Sequence, residues 1–500
     1  MSHASRPLSF TLLAILCAAA LVSARTQTTA PAPARQAAPL TVTLAHFNDV
    51  YEIDAVEGGK SGGLARVATV IAGLRSRGPV IATLGGDYLS PSAIGTARVE
   101  GAALAGRQMV DVLNASGLQW ATFGNHEFDL SEEQFRARLA QGTFKIVSSN
   151  VTDANRQPFP GTLTSAVVPV TRGGRTVRVG LIGLTLDSNK KPWVRYGDPL
   201  DAAREAIAAL RGKTDALVAL THLSLAQDIA LVDALPEIDL VLGGHEHENW
   251  MLRRGAHFTP IVKADANVRS LAVVTLTFPA SGRPVVTPRL ELIDEGIKAD
   301  PRVQAVVTRW TNAAFAAFRN EGFAPEQVIA TVTDPLDGRE STVRTRPGAL
   351  TDIITAAMVR EAKSEIAILN GGSVRIDDVV TPGPLREYDL IRILPFGGKV
   401  LRATIEGSLL TTILDVGVKN AGSGGFLQWS GVSNAGGVWQ IQGQPVNPDR
   451  KYVVALPDFL MTGGEVGLGF IQRTNPQITD VQEFRDIRMA VRDELKTRYR

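Results

Sequence analysis

Cysteine is all but missing from this 500-residue chain, occurring once, at Cys17. Cys17 lies in an apolar run that reads as a removable leader, so the mature chain would carry no thiol. That excludes disulfides and thiol catalysis. An excess of either charge is missing as well. Lys and Arg number 52 and Asp and Glu 50, a formal net charge of +2. Dedicated nucleic-acid binders show a strong basic surplus, so no nucleic-acid partner is expected, whereas a small anionic substrate needs only local charge. Long apolar stretches are also few. The run from Leu8 to Val22, behind Arg6, is short for a membrane span, and no charged stop follows it directly. Ending in Val22-Ser23-Ala24, it reads as an export signal over residues 1–24. The expected destination is periplasmic or secreted, with no stable membrane insertion after cleavage. Leu16 is too large for the usual lipoprotein cleavage before Cys17. Residues 25–39, rich in Ala, Pro, Thr and Gln, read as a disordered linker.

What is present is ordinary globular material, 44% hydrophobic and 20% charged, in a chain long enough for two domains. From residue 40 to about 295, short apolar runs alternate with helical stretches. Leu40 to Ala45, Val80 to Leu84, Trp120 to Phe123, Lys145 to Ser148, Val177 to Gly183, Ala216 to Leu220 and Ile238 to Leu242 read as strands. Gly63 to Arg77, Gly101 to Ser116, Asp201 to Leu210 and Leu225 to Leu235 read as helices. This alternation predicts an α/β layered domain over 40–295, with ligands just beyond the carboxyl ends of its strands. A helical connector is expected over 296–325, its centre a candidate hinge. Residues 326–500 change character: a helix at Ala349 to Ala362, a strand at Ile366 to Leu369, then short strands between Gly-containing turns. They predict a second, α+β domain.

Chemistry concentrates at the strand ends of the first part. In order come His46-Phe-Asn-Asp49, Gly85-Gly-Asp87, Gly124-Asn-His126-Glu-Phe-Asp129, Thr221-His222 and Gly243-Gly-His245-Glu-His247. Any one polar residue at a strand end is more often a cap than a ligand. The series is harder to explain that way, because five of the chain's seven histidines fall in it. Imidazole, amide and carboxylate together suit first-row divalent metals. A carboxylate such as Asp87 can bridge two ions, and two ions about 3.5–4 Å apart can drive phosphoryl chemistry.

In this order HxND, GGD, GNHEFD, THxxxxxD (Thr221 to Asp228) and GGHEH, the sequence resembles the calcineurin-like metallophosphoesterases, in their 5′-nucleotidase branch. The resemblance extends past residue 326. There Asn370-Gly-Gly-Ser-Val-Arg375, Leu394-Pro-Phe-Gly-Gly398, Gly425-Phe-Leu-Gln428 and Phe459-Leu-Met-Thr-Gly-Gly464 look like that family's substrate-binding signatures. It implies an N-terminal α/β/β/α sandwich with a 5′-nucleotidase C-terminal domain, and two divalent metal ions (Mn, Zn, Co or Fe). Asp49 and His247 would hold one ion; Asn125, His222 and His245 the other; Asp87 would bridge. His126 would face the phosphate, oriented by Asp129. Asn370 and Arg375 would meet the substrate, Phe426 and Phe459 would sandwich a nucleobase, and Glu465 would stand where the family usually has Asp against the ribose. From the residues alone, Phe426 and Phe459 read more readily as core than as a base sandwich, and Arg375 could be a surface ion pair with Asp377 or Asp378.

One position departs from the family. Tyr51 stands where a histidine is usual, two residues after Asp49. It would be a phenolate ligand to a harder ion such as Fe³⁺, or leave the first ion short of one ligand with water filling the gap, or point elsewhere; the second is our reading. The expected activity is hydrolysis of nucleoside 5′-monophosphates to nucleoside and phosphate by water. Alternatives are the same chemistry on 2′,3′-cyclic nucleotides, nucleotide sugars or other phosphate esters, or a catalytically weak nucleotide-binding protein.

Overall fold

The computed structural model describes residues 39–499; the expected export signal and all of the expected linker except Pro39 lie outside the described residues. Strands of the first domain bury both faces, so their apolar residues run almost without interruption and alternate between two cores. In Leu40–Phe47, Leu40, Val42 and Leu44 point to one core and Ala45 and Phe47 to another. In Ala216–His222, Val218 and Leu220 join the first of these, while Leu217 and Ala219 pack outward.

The result is two sheets face to face with helices outside each. One sheet has seven strands, ordered Val285–Leu292, Ser270–Phe278, Leu40–Phe47, Val80–Leu84, Trp120–Ala121, Lys145–Val147 and Thr162–Leu163. The other has six, ordered Trp250–Arg254, Thr259–Lys263, Leu240–Gly243, Ala216–His222, Arg175–Thr185 and Ser165–Arg172. Helices Leu64–Arg75 and Arg107–Ser116 cover the first sheet, and Pro199–Leu210 and Leu225–Ala234 cover the second.

Two features depart from the sequence reading. The helix expected from Gly101 begins only at Arg107, because Gly101, Ala105 and Gly106 all take positive φ and the chain first makes a short ribbon, Arg98–Val99 against Ala102–Ala103. The connector helix, Pro301–Asn320, is also a layer of the first domain. Val303, Val307, Trp310, Ala314 and Phe318 lie in its core, and Trp310 Nε1 donates to Asp111 Oδ2 at 3.1 Å.

The second domain is a mixed five-stranded sheet, ordered Leu427–Ser430, Ile366–Asn370, Lys451–Pro457, Lys399–Glu406 and Ile478–Asp486. Helices Ala349–Ala362 and Ile487–Arg498 cover one face, and Gly407–Lys419 covers the other. Among the described residues no helix is long and apolar enough to cross a membrane.

Candidate metal centre

Five strands of the first domain end on one edge of the double sheet, and each delivers a polar side chain there. Asp49 follows Leu40–Phe47, Asp87 follows Val80–Leu84, and Asn125 and His126 follow Trp120–Ala121. His222 closes Ala216–His222, and His245 and His247 follow Leu240–Gly243. The backbone is strained where it does so. Asp49, Asp87, His245 and His247 have φ of 53°, 54°, 89° and 60°, in the left-handed region that residues with a Cβ rarely visit. Strain of this kind persists only where surrounding structure enforces it, and it gathers at functional sites. Two glycines make the crowding possible. A Cβ on Gly86 would meet His222 Nδ1 at 2.7 Å, and one on Gly124 would meet Asp87 Oδ1 at 2.1 Å.

The donors form two halves around Asp87. In the first, ligand atoms of Asp49, Asp87 and His247 all lie within 4.8 Å of one another. His247 Nε2 is 3.5 Å from Asp49 Oδ1. In the second, His222 Nε2 is 3.2 Å from Asp87 Oδ2, and the rings of His222 and His245 are 5.3 Å apart centre to centre. His222 Nε2 and Asn125 Oδ1 are buried without a hydrogen-bond partner. Unpartnered buried polar atoms are costly, and an amide oxygen and a neutral imidazole nitrogen can each offer a lone pair to a cation. Burial pushes the His222 imidazole down, yet the carboxylates of Asp87 and Asp49 lift its pKa to about 9. The cluster is short of positive charge, so the residues fit a divalent cation.

Tyr51 does not point away. Its hydroxyl lies 2.8 Å from His247 Nε2 and 3.4 Å from both Asp49 Oδ1 and Asp87 Oδ2, inside the first half. Burial first, then the charges of Asp87 and Asp49, raise this phenol well above its ordinary range, which favours a neutral hydrogen-bond donor.

Beside the cluster stands His126. Its Nδ1 is 2.8 Å from Asp129 Oδ2, and Arg375 Nη2 donates to its Nε2 at 3.1 Å. Since Arg can only donate, Nε2 is the acceptor and Nδ1–H faces Asp129. Asp129 is fixed in turn by Ser90 Oγ at 3.0 Å and Asn189 Nδ2 at 2.7 Å. Burial pushes the Asp129 carboxyl up, but His126 prevails and holds it below the usual carboxylate range. Arg375 therefore reaches His126, beside the cluster, from the second domain. Its carboxylate partner is Glu340, at 3.4 Å, rather than Asp377 or Asp378.

Residues 42–249 match the calcineurin-like phosphoesterase family, and residues 328–471 the 5′-nucleotidase C-terminal domain. The chain is 24% identical to Protein UshA of Yersinia enterocolitica over 85% of its own length and 86% of that protein. It is 25% identical to the 5′-nucleotidase of Bos taurus, over 86% of this chain and 84% of the relative. A 5′-nucleotidase precursor from Thermus thermophilus superposes with a TM-score of 0.73 at 25% identity, covering 92% of this chain and 97% of that one. The chain belongs to the 5′-nucleotidase family of calcineurin-like phosphoesterases. It is a phosphoric ester hydrolase, and the family is one that binds divalent metal.

In this 5′-nucleotidase-family protein the remaining second-domain candidates form their own group. Asn370 ends the strand that leads through a single turn to Arg375, and its Nδ2 donates to Glu465 Oε2 at 2.9 Å. Phe426 is only 3% exposed, with Trp429 at 6.2 Å, whereas Phe459 is 45% exposed. Phe426 thus satisfies the core reading, and Phe459 does not.

Several residues that build the centre escaped the sequence reading. Glu127, buried inside the GNHEFD segment, accepts from the backbone N–H of Asp87, Tyr88 and Leu89 at 3.1, 2.7 and 3.2 Å, and so moulds the Asp87 loop. Burial and the charge of Asp87 raise its pKa to about 7. Lys263 closes an apolar strand yet is fully buried; its Nζ donates to Leu223 O at 2.7 Å and Gly244 O at 2.8 Å and pairs with Asp228 at 2.9 Å and with Glu246. It pins the loops carrying His222 and His245. The only signal in sequence was a lysine ending an apolar strand. His46 ties the sheets together, Nδ1 to Thr83 Oγ1 at 2.9 Å and Nε2 to Gly243 O at 3.0 Å, and is not a ligand.

Proposed function

We propose that this enzyme hydrolyses nucleoside 5′-monophosphates to nucleoside and phosphate outside the cytoplasm. The observation that carries this reading is the Arg375 guanidinium 3.1 Å from His126 Nε2: a phosphate-shaped cationic fork held against the histidine beside the metal donors. The apolar run at Leu8 to Val22 supports export.

One divalent ion would be held by Asp49, Asp87 and His247, and a second by Asp87, Asn125, His222 and His245. When bound, such ions supply Lewis acidity that polarises the phosphoryl group and lowers the pKa of water. The chain's own residues do the rest. Arg375 grips phosphate oxygens. His126, with its Nδ1–H on Asp129, stands with Arg375 where charge grows as water attacks in line with the leaving oxygen. Asp129 holds the imidazole in place and fixes its tautomer. Asn370 and Glu465 would bind the sugar, and Phe459 offers an exposed flat face for a base, which tolerates different bases because each has a π-face.

Phosphate release from a panel of nucleoside 5′-monophosphates, 2′,3′-cyclic nucleotides and nucleotide sugars, with added Mn²⁺, Zn²⁺, Co²⁺ or Fe²⁺, tests this. Turnover fastest on 5′-monophosphates is expected. Preference for another ester moves the substrate, and no turnover with any metal alongside clear nucleotide binding replaces hydrolysis with capture.

A further inference from the structure

An imidazole that binds a metal through one ring nitrogen needs an acceptor on the other; that partner fixes the tautomer, aims the ring and raises its basicity. His222 finds its acceptor within its own domain: Nδ1 meets the backbone carbonyl of Gly85 at 2.7 Å, and Nε2 faces Asp87. His247 has none from the first domain. Its Nε2 faces Asp49 Oδ1, and its Nδ1 meets Asp377 Oδ2, a carboxylate of the second domain.

We propose that Asp377 is a positioning residue that sets metal affinity in the first half of the centre from across the domain boundary. This rests on the two-ion reading above. The carboxylate is aimed from both ends, since its other oxygen accepts the Glu340 backbone N–H at 2.7 Å. Its own backbone is strained, with φ of 41°. Glu340 also contacts Arg375 and Arg344, so Asp377 and Arg375, two residues apart, are set by the same support. The segment that brings Arg375 to His126 thereby brings Asp377 to His247. Around the contact, Glu52 receives Tyr388 Oη at 2.8 Å and Arg392 Nε at 3.2 Å, and Arg269 meets Asp378 at 3.4 Å, tying the same two surfaces together. The first half is complete only with the second domain seated. The second half needs nothing from it. By linkage, metal in the first half favours the seated arrangement by as much as seating favours that metal.

The test is Mn²⁺ titration of the full chain, as wild type, Asp377→Asn and Asp377→Ala, read by metal stoichiometry and by electron paramagnetic resonance. Wild type should take two ions with the signature of a coupled pair. Asp377→Ala should weaken one ion by about 10–100-fold and leave the other unchanged, so that one equivalent gives the spectrum of an isolated ion. Asp377→Asn, which keeps an acceptor oxygen, should fall between. Thermal unfolding of the metal-free variants is measured beside the titration, and a merely structural role would weaken both ions along with the stability lost, rather than one. Two unweakened ions in Asp377→Ala, or equal weakening of both, overturns the inference and spares the two-ion reading. A wild type that binds one ion overturns both.

Discussion

The half of the centre formed by Asn125, His222 and His245 is made by the first domain alone, whereas the half formed by Asp49 and His247 holds a phenol and leans on the second domain. His222 is fully buried and braced by backbone. His247 is braced by a side chain from a distant segment and shares its Nε2 surroundings with Tyr51. A half fixed by the fold of one domain should keep its ion when the other domain is disturbed. A half completed across a boundary would make metal affinity answer to how the domains sit, and so to the substrate grip proposed for Arg375. The two halves differ in what governs them, although they share Asp87.

The largest effect should come from breaking what they share. Asp87→Asn removes the negative charge common to both, and Asp87 Oδ1 also accepts the His126 backbone N–H at 2.8 Å. Turnover should fall by about 10⁴-fold, which is roughly 5 kcal/mol of transition-state stabilisation. Metal content should fall below one equivalent in the same preparation. Retention of both ions would show that Asp87 bridges nothing.

Next in size is a blow to the scaffold of the second half. Lys263→Met leaves Asp228 and Glu246 without their buried cation. Burial already raises Asp228 to about 6 against the pull of Lys263. Removing one partner of a buried ion pair costs about 3–5 kcal/mol, so denaturant unfolding should show a loss of that order. Affinity in the second half should suffer more than in the first. A change under about 0.5 kcal/mol would mean that the loops hold themselves.

The seam between the sheets supplies a pH-dependent test. Burial, opposed by the Gly243 carbonyl and by Asp49, lowers His46 from 6.5 to about 4. The unfolded chain therefore takes up this proton first. The contribution of neutral His46 is fully present above pH 6.5, and about 3 kcal/mol is lost as pH falls to 4. Unfolding free energies of wild type and His46→Asn, compared at pH 7 and pH 4, should converge by about that amount as pH falls. A constant difference would refute the assignment of a buried neutral imidazole.

His126→Ala should act on neither half. A positioned acid or charge-stabilising group contributes about 10²–10⁴-fold, so kcat should fall at least about a hundredfold while both ions stay bound. Loss of an ion together with rate would make His126 a ligand.

Much of this centre was legible because strand ends are written plainly: an apolar run, then a polar residue, with a glycine between them in three of the five. Asp49, Asp87, Asn125, His222, His245 and His247 converge on one edge because each follows such a run. The parts that escaped obey a different logic. Glu127, Lys263 and Asp377 act through contacts between residues 40, 19 and 130 apart in the chain, and nothing in their local sequence names the partner. Helix boundaries escaped where three positive-φ residues, Gly101, Ala105 and Gly106, interrupt a pattern that reads as helical throughout.

The smallest effect should come from Tyr51, and it sharpens the comparison most. Its hydroxyl is close enough to Asp49 and Asp87 to be mistaken for a ligand. A neutral phenol is a weak donor to a divalent ion, and an ion at His247 Nε2 must displace the hydrogen bond that Tyr51 makes there. Tyr51 would then remain beside the carboxylates, donating to them. Tyr51→Phe should thus change first-half metal affinity by less than about tenfold, close to the 0.5–1.5 kcal/mol of one hydrogen bond. Tyr51→His should instead tighten that half, because it adds an imidazole where one donor is missing. Competition between a chelator and the first-half ion reads both variants. If Tyr51→Phe empties the first half, the phenol is a ligand and that half holds a harder ion than its partner.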